Sequence, residues 1–136
     1  MKLFGIIPPA KVIGSSYLSR WHVIPRNPFF NIYLHRFIGS DDGRAMHDHP
    51  WWSLSLLLRG TLIELRKGKG SRLPRWMEPT LRRPSDAHRL VHIGKPAWTL
   101  FITGPVVRDW GFHCPRGWQH WRTMTDGKGN KIGGCE

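Results

Sequence analysis

The strongest constraint on the fold is how often the backbone is interrupted: fifteen glycines and eleven prolines are spread through 136 residues. Inside a helix a glycine costs about 1 kcal/mol relative to alanine and a proline about 3 kcal/mol, so a bundle of long helices is excluded. The stretches between interruptions are short, and several alternate with a period of two, the pattern of half-buried strands. Eight tryptophans and six phenylalanines supply large apolar surfaces for a core. A chain of this length buries roughly two thirds of the surface it exposes when unfolded. One mainly β domain with one core is expected, over residues 1–125 and beginning with an irregular N-terminal segment.

The first clear strand is expected from Asn31 to Ile38, with Ile32, Leu34 and Ile38 on one face and Tyr33, His35 and Phe37 on the other. Before it, Pro8, Pro9, Pro25 and Pro28 divide the chain into pieces suited to an edge or an irregular wrap. Gly39 to Gly43 read as a turn. The segment MHDHPWWSLSLLL, Met46 to Leu58, predicts a short strand through His47 and His49, a corner at Pro50, and a second strand from Trp52. Thr61 to Arg66 then returns from Gly60 as the other arm of a hairpin. Lys67 to Pro84 reads as a loop, because KGKGS is flexible and Pro74, Pro79 and Pro84 bar a long helix. Later strands are expected over Ala87 to Ile93, Ala97 to Thr103 and Val106 to His113, followed by a mobile glycine-rich tail at 126–136.

No stretch reaches the roughly 20 apolar residues that a membrane-spanning helix needs, and the N-terminal apolar run is broken by Pro8 and Pro9. A soluble, cytoplasmic protein without a membrane partner is the expectation. Cys114 and Cys135 suggest no disulfide framework and are expected as thiols. The formal charge of +12 predicts attraction to anions, whether nucleic acid, a small anionic substrate or an acidic protein face. The excess is concentrated between Arg59 and Lys95, where ten basic residues face only Glu64, Glu78 and Asp86.

The residues with most chemistry are histidines. On a strand His47 and His49 point to one side and Asp48 to the other, so two imidazoles can converge on one ion. A third ligand must come from another strand, and His88, following a proline corner, is the candidate. Imidazole suits iron, nickel, copper or zinc, and an added oxygen ligand shifts preference towards manganese or iron. Glu64 supplies such an oxygen if it faces inward. The competing reading makes His47-Asp48-His49 a hydrogen-bonded corner in which Asp48 orients its neighbours. Trp51 shares parity with the two histidines, while most other tryptophans suit core or dimer packing. His113, Cys114 and His120 match no zinc-finger or ribbon spacing.

These positions resemble the cupin superfamily. His47-Asp48-His49 followed by Gly60 is similar to the first cupin motif, with Ser53 or Leu54 where the motif carries glutamate and Gly43 closer to His47 than the motif places it. Pro84-Ser85-Asp86-Ala87-His88 looks like a shortened second motif with Asp86 in place of glycine. The resemblance covers about residues 31 to 104 and extends to small cupin-like proteins of bacteria and their prophages. It implies a small β-barrel, the double-stranded β-helix, holding one divalent transition metal (iron, manganese, nickel or zinc) in its open end, with Glu64 as the replacement carboxylate.

Two functions follow as expectations. One is a metal-dependent enzyme, an oxygenase if the ion is iron. The other is a non-enzymatic accessory protein that binds nucleic acid or another anion through its basic segment. A homodimer is compatible with either, because strand edges and tryptophans favour burial against a second copy.

Overall fold

Antiparallel strands make up almost all regular structure in the computed structural model, which describes residues 11–13, 18–39, 45–125, 133 and 135. In chain order the strands are β1 Lys11–Ile13, β2 Leu18–His22, β3 Asn31–Phe37, β4 Met46–His47 and β5 Ser53–Arg66. They continue as β6 Gly70–Arg72, β7 Pro79–Arg82, β8 His88–Thr103, β9 Gly111–Cys114 and β10 Gly117–His120, and a 3-10 turn follows at Trp121–Thr123. The hydrogen-bonded path runs β1-β2-β3-β8-β4-β9-β10, while β5 lies along β8 and carries β6 and β7. Every pairing between these strands is antiparallel, and the path does not close on itself. Residues 40–43 of the turn expected over Gly39 to Gly43 and most of the expected tail lie outside the described residues.

The alternation of β3 places Tyr33, His35 and Phe37 inside. Across the sheet Phe37 pairs with Leu18 and with Ala97. Together with Leu57 and Leu62 these residues form the apolar floor of the fold, and Ala97 is completely buried. The other face of β3, Ile32 and Leu34, is half-buried, and Ile38 is exposed beyond the strand end.

The strands at the centre differ from the expectation in a consistent way. Gly60 does not begin a hairpin: β5 runs through it for 14 residues, and β8 runs for 16 residues through Gly94-Lys95-Pro96. The two strands bend together, with register shifts between Leu57 and Arg59 and between Arg59 and Thr61. Gly60 has φ +87 and Gly94 φ +74, the left-handed region in which glycine is least penalised. Such bulges let one long strand turn a corner and serve both halves of a curved sheet. Glycine therefore marks a bend here rather than a reversal.

Three smaller corrections follow. The expected loop from Lys67 to Pro84 contains β6 and β7, held by Arg72, which bonds both Thr80 and Glu78. The strand expected over Val106 to His113 begins only at Gly111, and β10 follows it as the second arm of a hairpin. Cys114 and Cys135 are joined in a disulfide where thiols were expected. Their separation of 21 residues shows no pattern in the chain. The buried Met124 packs its sulfur 3.8 Å from that of Cys114.

A Cβ on Gly60 would lie 2.6 Å from Ala97 Cα and 2.7 Å from the Pro96 carbonyl oxygen. Gly60→Ala therefore combines a disfavoured backbone with a clash against another backbone, and a loss of about 2 to 4 kcal/mol is expected. Urea denaturation followed by circular dichroism checks this, and a loss below 0.5 kcal/mol (about the scatter of a neutral surface change) contradicts the role given to the bend.

Candidate metal centre

β4 is only two residues long, yet it lies between two other strands. His47 pairs with His88 of β8 on one side and with Phe112 of β9 on the other. Directly opposed residues share a face of the sheet, so His47 and His88 meet through register. His49 arrives by a different route. The strand ends at His47, and the Asp48 and His49 backbone N–H groups donate to the carbonyls of Gly111 and Pro84, both at 3.0 Å. The ring centroids of the three histidines lie 4.9 to 5.1 Å apart. One ring nitrogen from each falls within 4.8 Å of the other two. His49 is therefore outside the strand predicted for it, but its side chain still joins the cluster.

Asp48 explains how the corner is held. It is 1% exposed and accepts from the Gly111 N–H at 2.8 Å, from His113 Nε2 at 2.9 Å and from Trp118 Nε1 at 2.9 Å. Arg108 pairs with it at 3.1 Å and also donates to the carbonyls of His49 and Pro84. This network joins the corner carrying His49 to the corner preceding His88. Nothing local in the sequence marks Arg108, His113 and Trp118 as parts of the site, because their partner Asp48 lies 60 or more positions earlier in the chain.

Glu64 faces inward, on the far side of His88 from the cluster. Its Oε2 accepts from His88 Nδ1 at 2.8 Å and from Arg82, whose Nη1 donates to Ser55 Oγ at 3.0 Å. An ionised carboxylate only accepts hydrogen bonds, so His88 carries its proton on Nδ1. The Nε2 lone pair is left pointing at His49 Nε2, 3.4 Å away. Burial, then Arg82 and His47, hold the pKa of His88 well below its ordinary value. Burial, then His88, His47, Arg82 and Arg108, do the same for His49. Both rings are neutral near pH 7, the form that coordinates metal.

The residues fit a metal ion. Nitrogens about 2.1 Å from a shared tetrahedral ion stand roughly 3.4 Å apart, which matches the His49 to His88 separation. The other ring nitrogen of His49, Nδ1, is buried with no hydrogen-bond partner among the described residues. Trp51 stacks on His49 with centroids 5.0 Å apart and an interplanar angle of 19°. The atoms of a second candidate cluster are engaged elsewhere: His113 bonds Asp48 and Lys67, His120 pairs with Asp109, and Cys114 is in the disulfide.

Solved structures with this architecture identify the fold. The DMSP lyase DddQ from Ruegeria pomeroyi aligns with TM-score 0.60 at 14% identity, over 75% of this chain and 54% of the lyase. A double-stranded β-helix protein from Klebsiella pneumoniae aligns at 0.57 and 12% identity, over 72% of this chain and 85% of that one. KdgF from a Halomonas species aligns at 0.54 and 15% identity, over 65% and 81%. The chain thus spans about half the length of the DMSP lyase. The sequence matches no protein-family model and no curated protein. The fold is the double-stranded β-helix shared by these structures, and the three-histidine cluster it carries suits a metal ion.

Two outcomes test the construction of the centre. His49→Ala removes one of three imidazoles and is expected to abolish stoichiometric metal retention after dialysis, measured by elemental analysis. Glu64→Gln keeps the three imidazoles and is expected to weaken affinity about 10 to 100-fold. Loss as complete as in His49→Ala would make Glu64 a ligand.

Protons provide another test. His35, His49 and His88 all have folded-state pKa values lowered mainly by burial. The unfolded chain takes up these protons near pH 6.5 while the folded chain does not, so metal-free stability is full above that pH and falls as pH drops through it. Each such histidine contributes up to about 1.4 kcal/mol per pH unit. Urea midpoints measured in chelator at pH 7.5 and 5.5 are expected to fall steeply, and equal midpoints would contradict the neutral, buried rings.

Proposed function

We propose that this chain is a mononuclear metal enzyme acting on a small organic molecule, with oxygenation as its reaction when the ion is iron. The observation that carries the proposal is His88, with Nδ1–H committed to Glu64 and Nε2 presented to His49 and His47. His47, His49 and His88 would hold the ion. With three neutral ligands, such an ion supplies redox chemistry or polarises a bound oxygen atom while keeping positions open for substrate.

The protein's own contribution is orientation. Glu64 and Arg82 fix the tautomer and tilt of His88, and Asp48 and Arg108 fix the corner beneath His49. Trp51 covers one face of His49 and limits the approach of water from that side. Glu64 lies on the outer side of His88, consistent with a carboxylate that aligns a ligand rather than being one. The net charge at the ion is then higher than with a coordinated carboxylate, which favours anionic substrates.

A non-enzymatic role as an anion or nucleic-acid binder draws on a different observation. Arg59, Lys69, Arg75 and Lys95 of the basic segment are exposed. That role predicts binding to duplex DNA or RNA that weakens steeply with salt.

The test is untagged protein reconstituted with iron, manganese, nickel or zinc, followed by elemental analysis and an oxygen electrode with candidate small acids. The expected result is about one ion per chain and substrate-dependent oxygen uptake by the iron form. Metal binding without oxygen uptake would turn the reading to redox-neutral chemistry such as elimination, the reaction class of the DMSP lyase neighbours. Failure to take up any of the four metals would remove the enzyme reading.

A further inference from the structure

The edge of β5 that faces away from β8 carries a second feature. β7 pairs with Ser53 to Leu56 and β6 with Glu64 to Arg66, so the bend at Gly60 falls in a gap between the two short strands. The chain that joins β6 to β7 crosses this gap. There the Met77 N–H donates to the Leu57 carbonyl at 2.8 Å, and Trp76 forms a single bridge to Leu57. A cavity of about 280 Å³ lies at the crossing, lined from β5 by Arg59 and Gly60 and from the crossing segment by Leu73, Pro74 and Trp76.

The crossing segment is built at a cost that core packing does not return. Trp76 is 74% exposed and Leu73 61%, so neither adds to the apolar floor. Met77 has φ 57, a left-handed backbone that disfavours a bulky side chain and that concentrates at ligand clamps. The strained residue is the one whose N–H ties the segment to β5. Trp76 is thereby fixed through its backbone while its ring stays open to solvent.

Charge selects the ligand. Each carboxylate among the described residues already has a basic partner: Asp48 has Arg108, Glu64 has Arg82, Glu78 has Arg72, Asp86 has Arg83 and Asp109 has His120. No acid is left for Arg59, which is exposed at the cavity. Arg59 pairs in register with Trp98, and Trp98 with Arg36, so these three share one face of the sheet. Two strand spacings separate the Arg36 and Arg59 backbones by roughly 10 Å. The Arg36 guanidinium carbon stands 6.0 Å from the Trp98 ring centroid, which keeps it on that face. Strung along a row rather than gathered about a point, these cations match repeating negative charge.

We propose that this groove binds single-stranded nucleic acid, with one base stacked on Trp76 beside Leu73 and Pro74 and the neighbouring phosphates on Arg59 and Arg36. Stacking on a side chain needs an unpaired base, and every base offers a ring face, so the groove takes single strands with little regard to sequence. The site goes beyond the metal reading and is independent of it. It rests on the anion-binding role drawn from the basic segment and gives that role a place.

The probe is a fluorescent oligothymidylate of about 12 nucleotides, a length within the range such grooves cover. Its anisotropy is followed as full-length protein is added in the presence of chelator. Binding is expected at low salt, with affinity that falls steeply as salt rises. Trp76→Ala is expected to weaken it about 5- to 100-fold, and Trp76→Phe to restore most of the loss. Arg59→Gln is expected to weaken binding and to lower the salt slope by about 0.7, the share of one phosphate on a single strand. A duplex of equal length keeps the phosphates but offers no unpaired base, so its affinity is expected to be unchanged by Trp76→Ala.

Single-strand binding that is indifferent to Trp76→Ala, or a loss of equal size on strand and duplex, overturns the groove while the broader anion-binding role survives. Absence of binding to either form at low salt overturns both. Polyglutamate that displaces the labelled strand as well as unlabelled oligothymidylate does also overturns the groove, because an acidic peptide then satisfies it equally.

Discussion

A buried carboxylate sets the geometry around which the rest is arranged. Glu64 is 1% exposed, and an ionised acid at that depth is tolerated only when opposite charge and hydrogen bonds replace its lost water. The replacement comes from Arg82 on β7 and His88 on β8, while Glu64 itself belongs to β5. Three strands must therefore meet in one register for the charge to be accommodated. A one-residue slip of β7 or β8 would turn Arg82 or His88 to the opposite face and leave the acid unpaired. The demand that burial places on Glu64 is thus also a demand on where His88 stands.

Asp48 plays the complementary part on the other side of the cluster. Glu64 acts on a ring nitrogen, whereas Asp48 acts mainly on the backbone and on the side chains that surround its corner. Its bonds to the Gly111 N–H, Arg108, His113 and Trp118 hold β9 and β10 against the short β4. Two residues of strand could not be positioned by their own pairing alone. The competing reading of His47-Asp48-His49 as a hydrogen-bonded corner is therefore compatible with the metal reading, because the corner is the means by which the two imidazoles are brought together.

The inner face shows the same division between apolar floor and polar wall. Leu18, Phe37, Leu57, Leu62 and Ala97 close one end of the sheet, and the aromatic side chains from His35 to Trp51 continue towards the histidines. Packing is dense at the floor, and the rings of Phe101 and Trp51 further along are half-buried. The bends at Gly60 and Gly94 give the curvature for this, since each long strand supplies residues to the floor and, past its bulge, to the centre: Leu57 and Glu64 on β5, Ala97 and His88 on β8.

Local pattern in the chain was enough to determine the β class, the strand at Asn31, the parity of Tyr33, His35 and Phe37, and the candidacy of His47, His49 and His88. These depend on period-two alternation and on residue chemistry, both of which are written in short stretches. Tertiary structure alone decided that glycine bends β5 and β8 instead of ending them, that Glu64 meets His88 through Nδ1, that Asp48 is served by Arg108, His113 and Trp118, and that Cys114 finds Cys135. Each of those outcomes is a contact between residues far apart in sequence, selected by the burial of charge or by backbone approach. No local pattern encodes such a choice, because its energy exists only once the distant partners share the same interior.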